Sequence, residues 1–151
     1  MVMRSASVDA GPVFLTKKPT GPLGALVEMC WLWRGDPPAH QRDRMLPTGT
    51  ASFIVNLADD ELRIYDSESG ALARRFEGSG FDGAHLTPFV IDTAEQVYVA
   101  GVEFRPGGAW PFVAAAQDEV ADVHVPLRDV WALWYISACP PRNSQSGQRK
   151  K

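Results

Sequence analysis

The alternation of apolar and polar residues predicts a chain of short β-strands. In the stretch 51–57, Phe53, Val55 and Leu57 fall on one face of a strand, because successive side chains of a strand point to opposite sides. Both faces of the stretch 27–34 are apolar, which predicts a strand covered on both sides. Similar patterns predict strands over residues 61–65, 71–76, 87–92 and 97–104. We expect 51–57 and 61–65 to form a hairpin.

Turns rich in glycine and proline separate these strands at intervals of about ten residues, which is typical of an antiparallel β-sandwich or β-barrel. Helical patterns are confined to a turn before Val27 and to the later part of the chain. The later segments are 109–116, 117–122 and a start at 126–134. The glycine-rich stretch 77–83 is predicted to be a loop. The fold class is therefore mainly β with a few C-terminal helices (α+β).

The pattern divides the chain into three parts. Residues 1–19 lack periodicity and are predicted to be a loose arm, residues 20–136 to be one domain, and residues 137–151 to be a disordered basic tail. From Arg142 onward the tail carries four basic and no acidic residues, while the whole chain has a net charge of −3. The body is therefore acidic, which disfavours contact with nucleic acid phosphates.

The sequence gives no sign of export or of membrane insertion. No apolar run approaches the ~20 residues that span a bilayer, and the first residues lack the apolar core of a signal peptide. Two cysteines, Cys30 and Cys139, are too few for a disulfide framework. We expect a cytoplasmic protein without membrane contact.

Residues with catalytic or metal-binding potential are scattered. His40, His85 and His124 stand far apart, whereas a metal site of the cupin type uses two histidines one residue apart with further ligands downstream. No nucleophile elbow occurs, and neither cysteine has an evident histidine partner. The sequence therefore predicts no catalytic residue, no metal ligand and no cofactor.

Arg105 is the most informative single residue. It ends the strand 97–104 and precedes a Pro-Gly-Gly turn and the predicted start of a helix. Its guanidinium can bind a carboxylate or phosphate of a ligand, or it can pair with an internal acid or carbonyl and fix the turn. With Trp31, Asn56 and Trp110 it makes up the candidate ligand pocket, although tryptophans also commonly fill cores.

Six short segments together resemble a known family over about residues 20–132. They are Val27–Trp31, Arg44–Gly49, Phe53–Leu57, Pro88–Ile91, Gly101–Ala109 and Val125–Trp131. The Phe-Arg-Pro-Gly-Gly element follows the Leu-Pro-x-Gly and asparagine elements in the same order. In these segments the chain resembles the cupin-like N-terminal sensor domain of a subgroup of AraC-type bacterial transcriptional regulators.

The resemblance implies a domain that senses a small-molecule effector or forms a homodimer and performs no chemistry. In that family a linker helix and two helix-turn-helix units follow the domain. After Trp131 this sequence departs from the pattern, and a recognition helix needs a packed scaffold of its own. We therefore expect no direct DNA binding by this chain. Two alternatives stay open: a stand-alone cupin-like small-molecule-binding protein or enzyme, and a truncated, non-functional product.

Overall fold

The described residues form two antiparallel β-sheets. The computed structural model describes residues 11–37, 39–59, 61–113 and 118–131. The strands in these ranges are β1 (Val13–Lys17), β2 (Val27–Arg34), β3 (Arg42–Met45), β4 (Ser52–Asn56), β5 (Leu62–Asp66), β6 (Leu72–Phe76), β7 (Ser79–Asp82), β8 (Phe89–Asp92), β9 (Tyr98–Phe104) and β10 (His124–Pro126). Short 3₁₀ turns lie at Gly21–Ala25 and Thr93–Glu95, α1 spans Trp110–Val113, and residues 127–131 are helical.

The larger sheet has six strands in the order β1-β2-β9-β4-β7-β10. The smaller sheet has four strands in the order β3-β8-β5-β6. The two sheets face each other, since Ile54 on β4 packs against Leu62, Ile64 and Phe76 of the smaller sheet. This contact stacks the two sheets face to face, as in a β-sandwich.

The other face of the larger sheet is covered by the short helices. Phe81 and Phe104 from the sheet are almost fully buried and pack with Val113 of α1. Leu127 and Val130 of the second helical segment complete this core. The central strands of the larger sheet are therefore covered on both faces, by the smaller sheet on one side and by helices on the other.

The turn after β9 fastens the helical layer to the start of the domain. The backbone N–H of Arg105 donates to the Leu26 carbonyl over 2.9 Å, and its Nε donates to the Gly24 carbonyl over 2.9 Å. Gly108 has no room for a side chain because a Cβ there would overlap the Leu26 carbonyl. Both residues hold the turn against the 3₁₀ segment.

The structure confirms the mainly β, antiparallel fold class and most of the predicted strands. β2 has the predicted bounds, 27–34, and the expected helical turn precedes it. The segments around 52–56, 62–66, 72–76, 89–92 and 98–104 are also strands. No helix in the described part of the chain is long and apolar enough to cross a bilayer.

The predicted hairpin between 51–57 and 61–65 is wrong. β4 pairs with β7 and β9 in the larger sheet, whereas β5 pairs with β6 and β8 in the smaller one. The side chain of Asn56 redirects the chain between the sheets. Its oxygen accepts bonds from the N–H groups of Ala58 and Asp59, and its amide donates to the Glu61 carbonyl.

The predicted loop 77–83 contains a strand, β7. Gly80 faces the ring of Phe76, and a Cβ there would lie 2.6 Å from the ring carbon Cε2. Glycine is needed at this point because another element approaches closely, and pairing with β4 and β10 supplies the ladder bonds. The glycines therefore mark close packing here and not a loop.

The structure also changes the predicted boundaries. Residues 13–17 of the predicted arm form β1, which pairs with β2 through five residues. Residues 118–122 form turns, with Asp122 at a φ of 53°, in place of the predicted helix. Residues 124–126 are a strand and the next helix starts at 127. Residues 1–10, 114–117 and 132–151 lie outside the described part, so the predictions made for them stay predictions.

Candidate functional site

A cavity of about 160 Å³ lies between the two sheets. Side chains of both sheets line it, together with residues of the connections beside them. The smaller sheet supplies an apolar wall, made of Leu62, Ile64, Phe76, Phe89 and Ile91. None of the described residues that line it is a lysine or arginine. In the described part of the chain the cavity is therefore apolar on one side and has no basic lining residue.

A row of polar residues crosses the larger sheet on the cavity side. Glu103 on β9 is the register partner of Ser52 on β4, Ser52 is the partner of Asp82 on β7, and Asp82 is the partner of His124 on β10. Register partners share a face of the sheet. The alternation of each strand thus aligns four polar side chains, and Ser52, Asp82 and Glu103 directly line the cavity.

His85 and His124 stack on each other at one end of this row. Their ring centroids lie 4.2 Å apart at an interplanar angle of 26°, and Phe89 contacts both rings. Nδ1 of His124 lies 2.8 Å from Oδ1 of Asp82. Burial, followed by the nearby His124, lowers the pKa of His85, so the neutral imidazole is favoured.

The two rings are fixed by their neighbours. Nδ1 of His85 lies 3.6 Å from Oδ1 of Asp122, and that carboxylate also accepts bonds from the N–H groups of Leu86 and Thr87. Nε2 of His85 is buried and has no hydrogen-bond partner among the described residues. Leaving such an atom unpaired is costly unless something binds it.

Trp31 and Glu103 interact in the cavity wall. Nε1 of Trp31 donates to Oε1 of Glu103 over 3.0 Å. Burial raises the pKa of Glu103, and Asp82 adds to the rise, although the bond from Trp31 opposes it. Gly101 lies two residues before Glu103 on β9. Because it has no side chain, it leaves the space in which the indole lies.

Glu95 is a further buried carboxylate in the cavity wall, and it is paired. Its two oxygens accept bonds from Nε of Arg63, over 2.7 Å, and from the backbone N–H of Arg63. Burial still raises its pKa, since desolvation outweighs these bonds. This end of the cavity is electrostatically satisfied within the chain, unlike the end at His85.

The structure places the four predicted pocket residues in different parts of the fold. Trp31 lines the cavity. Asn56 is buried, but its side chain is used in the connection between the sheets. Arg105 pairs with Glu28 over 2.7 Å and fixes its turn, which is the second of the two roles predicted for it. Trp110 is 62% exposed on α1. Only Trp31 of the four lines this cavity.

The prediction that each histidine stands alone is wrong. The pairing of β7 with β10 brings His124 beside Asp82, and the chain after β7 returns His85 to the same place. His40 pairs on the surface with Asp43 over 2.6 Å. No sequence signal marked His85 and His124, because a close pair that arises from strand pairing has no fixed spacing along the chain.

Comparison with known proteins identifies a family. Searches of the curated proteins and of the solved structures return no match. A family model described as "Domain of unknown function (DUF6597)" matches residues 16–126, from within β1 to the last residue of β10. The match therefore includes both sheets and the whole polar row, and the chain belongs to the DUF6597 family.

Proposed function

We propose that this domain is a sensor that binds a small-molecule effector in the cavity between its sheets. One observation carries the proposal: a cavity with an apolar wall on one sheet and a polar row on the other. Ligand sites in proteins combine these two features, an apolar lining for affinity and a few polar groups for orientation.

The lining indicates the chemistry of the effector. Among the described lining residues, Asp82, Glu95 and Glu103 are acidic and none is a lysine or arginine. Burial lowers the pKa of His85, which favours its neutral form. A carboxylate or phosphate would meet only repulsion from these groups. The site fits a neutral or cationic molecule that donates hydrogen bonds, such as an amine.

The volume of the cavity indicates a small effector. A dry protein cavity of ~150 Å³ holds a ring of the size of benzene, and this cavity is about 160 Å³. We therefore expect one ring, or an aliphatic chain of similar volume, that carries an amino group. The ring would lie against Ile64 and Phe89, with its amine towards Glu103 and Asp82.

The resemblance to AraC-type sensor domains supports a regulatory role for this binding. In this proposal the domain acts in the cytoplasm, alters transcription through a DNA-binding partner or segment, and leaves its effector chemically unchanged. It does not itself bind a specific duplex sequence. A gel shift that showed sequence-specific retention of DNA by this chain would contradict this part of the proposal.

The direct test compares probes of one size and different charge. Benzylamine, benzyl alcohol and benzoate are titrated into the protein, and binding is followed by calorimetry and by thermal stability. We expect saturable binding of benzylamine, weaker binding of the alcohol and none of benzoate. Binding of benzoate as strong as that of benzylamine would overturn the charge argument, and no binding of any probe would overturn the cavity argument.

The two tryptophans Trp31 and Trp110 provide a matched pair of variants. Trp31→Leu changes the cavity wall, whereas Trp110→Leu changes an exposed position that does not line it. We expect Trp31→Leu to weaken benzylamine binding at least about tenfold, because the variant loses the contact of the ligand with an indole that a hydrogen bond holds in the wall. Trp110→Leu should bind as the wild type does. Equal losses in both variants would contradict the assignment of the cavity as the site.

A further inference from the structure

We infer that Asp82, His85 and His124 form a binding site for one divalent transition-metal ion of the zinc type. This site goes beyond effector binding and does not depend on it. One potential ligand atom from each of the three residues lies within 4.8 Å of the other two. Two imidazole nitrogens and a carboxylate oxygen are a common ligand set for zinc.

The unpaired nitrogen of His85 points independently to a ligand. The side chain of His85 is only 8% exposed, and its Nε2 has no partner in the described part of the chain. The other ring nitrogen, Nδ1, faces the carboxylate of Asp122. If Nδ1 carries the proton, Nε2 presents a lone pair. A metal ion would satisfy that lone pair and remove the cost of burying it unpaired.

The Asp122 carboxylate acts as an outer partner of the site. A metal-bound histidine commonly donates its second N–H to a carboxylate, which fixes the tautomer and the ring orientation. Asp122 is itself held by three bonds from Leu86 and Thr87.

The fold fixes the positions of the ligands before any ion is bound. Asp82 and His124 are register partners on β7 and β10, and Phe89 supports both imidazole rings. Zinc bonds of about 2.0–2.2 Å place neighbouring ligand atoms roughly 3.3 Å apart. Small side-chain rotations from the present separations therefore complete the set.

Three protein ligands leave one position of a tetrahedral ion open. Asp82 and His85 line the cavity, so the ion would lie at its edge. Water, or a nitrogen or oxygen atom of a cavity ligand, would fill the fourth position. The proposal concerns binding of the ion alone.

The test starts from the full chain stripped of metal with a chelator. Zn²⁺ is titrated by calorimetry, and Co²⁺ by its visible absorption, which reports a low-coordinate site with nitrogen ligands. We expect one equivalent of either ion per chain and a rise in thermal stability with Zn²⁺. Absence of saturable binding would overturn the proposal.

Variants assign the ion to this site. His85→Gln, His124→Gln and Asp82→Asn should each weaken Zn²⁺ binding at least about tenfold. His40→Gln is the matched control, because His40 also lies beside an aspartate but on the surface. If His40→Gln abolishes binding while His85→Gln leaves it intact, the assignment is wrong.

Folding of the variants is measured separately by urea denaturation. His85→Gln is the decisive variant, since it removes an unpaired nitrogen and should leave the metal-free stability close to that of the wild type. A His85→Gln protein that folds and still binds Zn²⁺ with unchanged affinity refutes the site. Benzylamine binding is measured in chelator, so failure of the metal site is distinguishable from failure of effector binding.

Discussion

Replacing Gly101 with alanine should displace Trp31 and open the cavity wall. A Cβ built on Gly101 would lie 2.6 Å from Nε1 of the indole and closer still to Cε2 and Cζ2. Real Cβ contacts are essentially never shorter than 3.0 Å. The two residues are register partners on β9 and β2, so the backbone ladder on both sides resists separation and the indole must move.

The expected cost has two parts. Forcing an extra methyl group into a packed region costs about 1–3 kcal/mol. Moving the indole also breaks its bond to Glu103, and a typical intramolecular hydrogen bond contributes about 0.5–1.5 kcal/mol. The variant should therefore lose about 2–4 kcal/mol of unfolding free energy.

Urea denaturation measures this loss, and two further variants show its cause. Gly11→Ala is the matched control, because no atom of the described residues lies within 4 Å of a Cβ at Gly11, and it should change stability by less than about 0.5 kcal/mol. In a Trp31→Leu background the clash with the indole is gone. Gly101→Ala should then be neutral or slightly stabilising, as glycine-to-alanine changes are where the backbone permits them.

The double-mutant cycle decides whether the reasoning is right. Coupling between Gly101 and Trp31 should reach at least about 1 kcal/mol, well above the ~0.5 kcal/mol expected of independent sites. If Gly101→Ala costs the same in both backgrounds, the indole is not what fills the space at Gly101.

Two further predictions concern charged residues. Burial raises the pKa of Glu103, so the folded state holds its proton more tightly than the unfolded state; this contribution to stability is present below the unfolded pKa and is lost as pH rises through the folded pKa. Glu103→Gln keeps an acceptor for Trp31, so above about pH 4, near the ordinary glutamate pKa, it should flatten the fall of urea stability seen in the wild type, and equal slopes would contradict this. Arg105→Ala should lose about 1 kcal/mol with its bond to the Gly24 carbonyl, since its half-exposed ion pair with Glu28 adds little. Calorimetry should show unchanged benzylamine affinity for Arg105→Ala. A tenfold loss of affinity in a stably folded variant would show that Arg105 belongs to the binding site.

The local pattern of apolar and polar residues predicted the strands, because the residues of each strand reflect which of its faces are buried. The alternation at 52–56 and the two apolar faces of 27–34 are properties of a few consecutive residues. Strand pairing is a different property, since it depends on partners far along the chain. The predicted hairpin after Asn56 failed for this reason: the connection has the length of a hairpin, but each strand finds better partners in a different sheet.

The candidate site was predicted only at Trp31, and the reason is again distance along the chain. A single aromatic residue in a strand can be recognised from its neighbours, whereas the pair His85 and His124 exists only after β10 has paired with β7. Arg105 and Asn56 were recognised as special, but their polar atoms are used by the fold itself. The sequence thus indicated that these residues matter and did not indicate whether a ligand or the backbone is their partner.

The two faces of the larger sheet explain why a polar row can be held in place inside a small domain. Each of three row residues is next in sequence to a phenylalanine that points to the opposite, helix-covered face; the pairs are Ser52-Phe53, Phe81-Asp82 and Glu103-Phe104. Phe53 meets the ring of Phe104 at 90° with centroids 4.9 Å apart, and the ring of Phe81 at 65° and 5.6 Å. Edge-to-face packing of this kind has a narrow range of good geometries. Because neighbouring residues of a strand share one backbone, the aromatic core on one face sets the spacing of the polar groups on the other, and the fold itself organises the polar row.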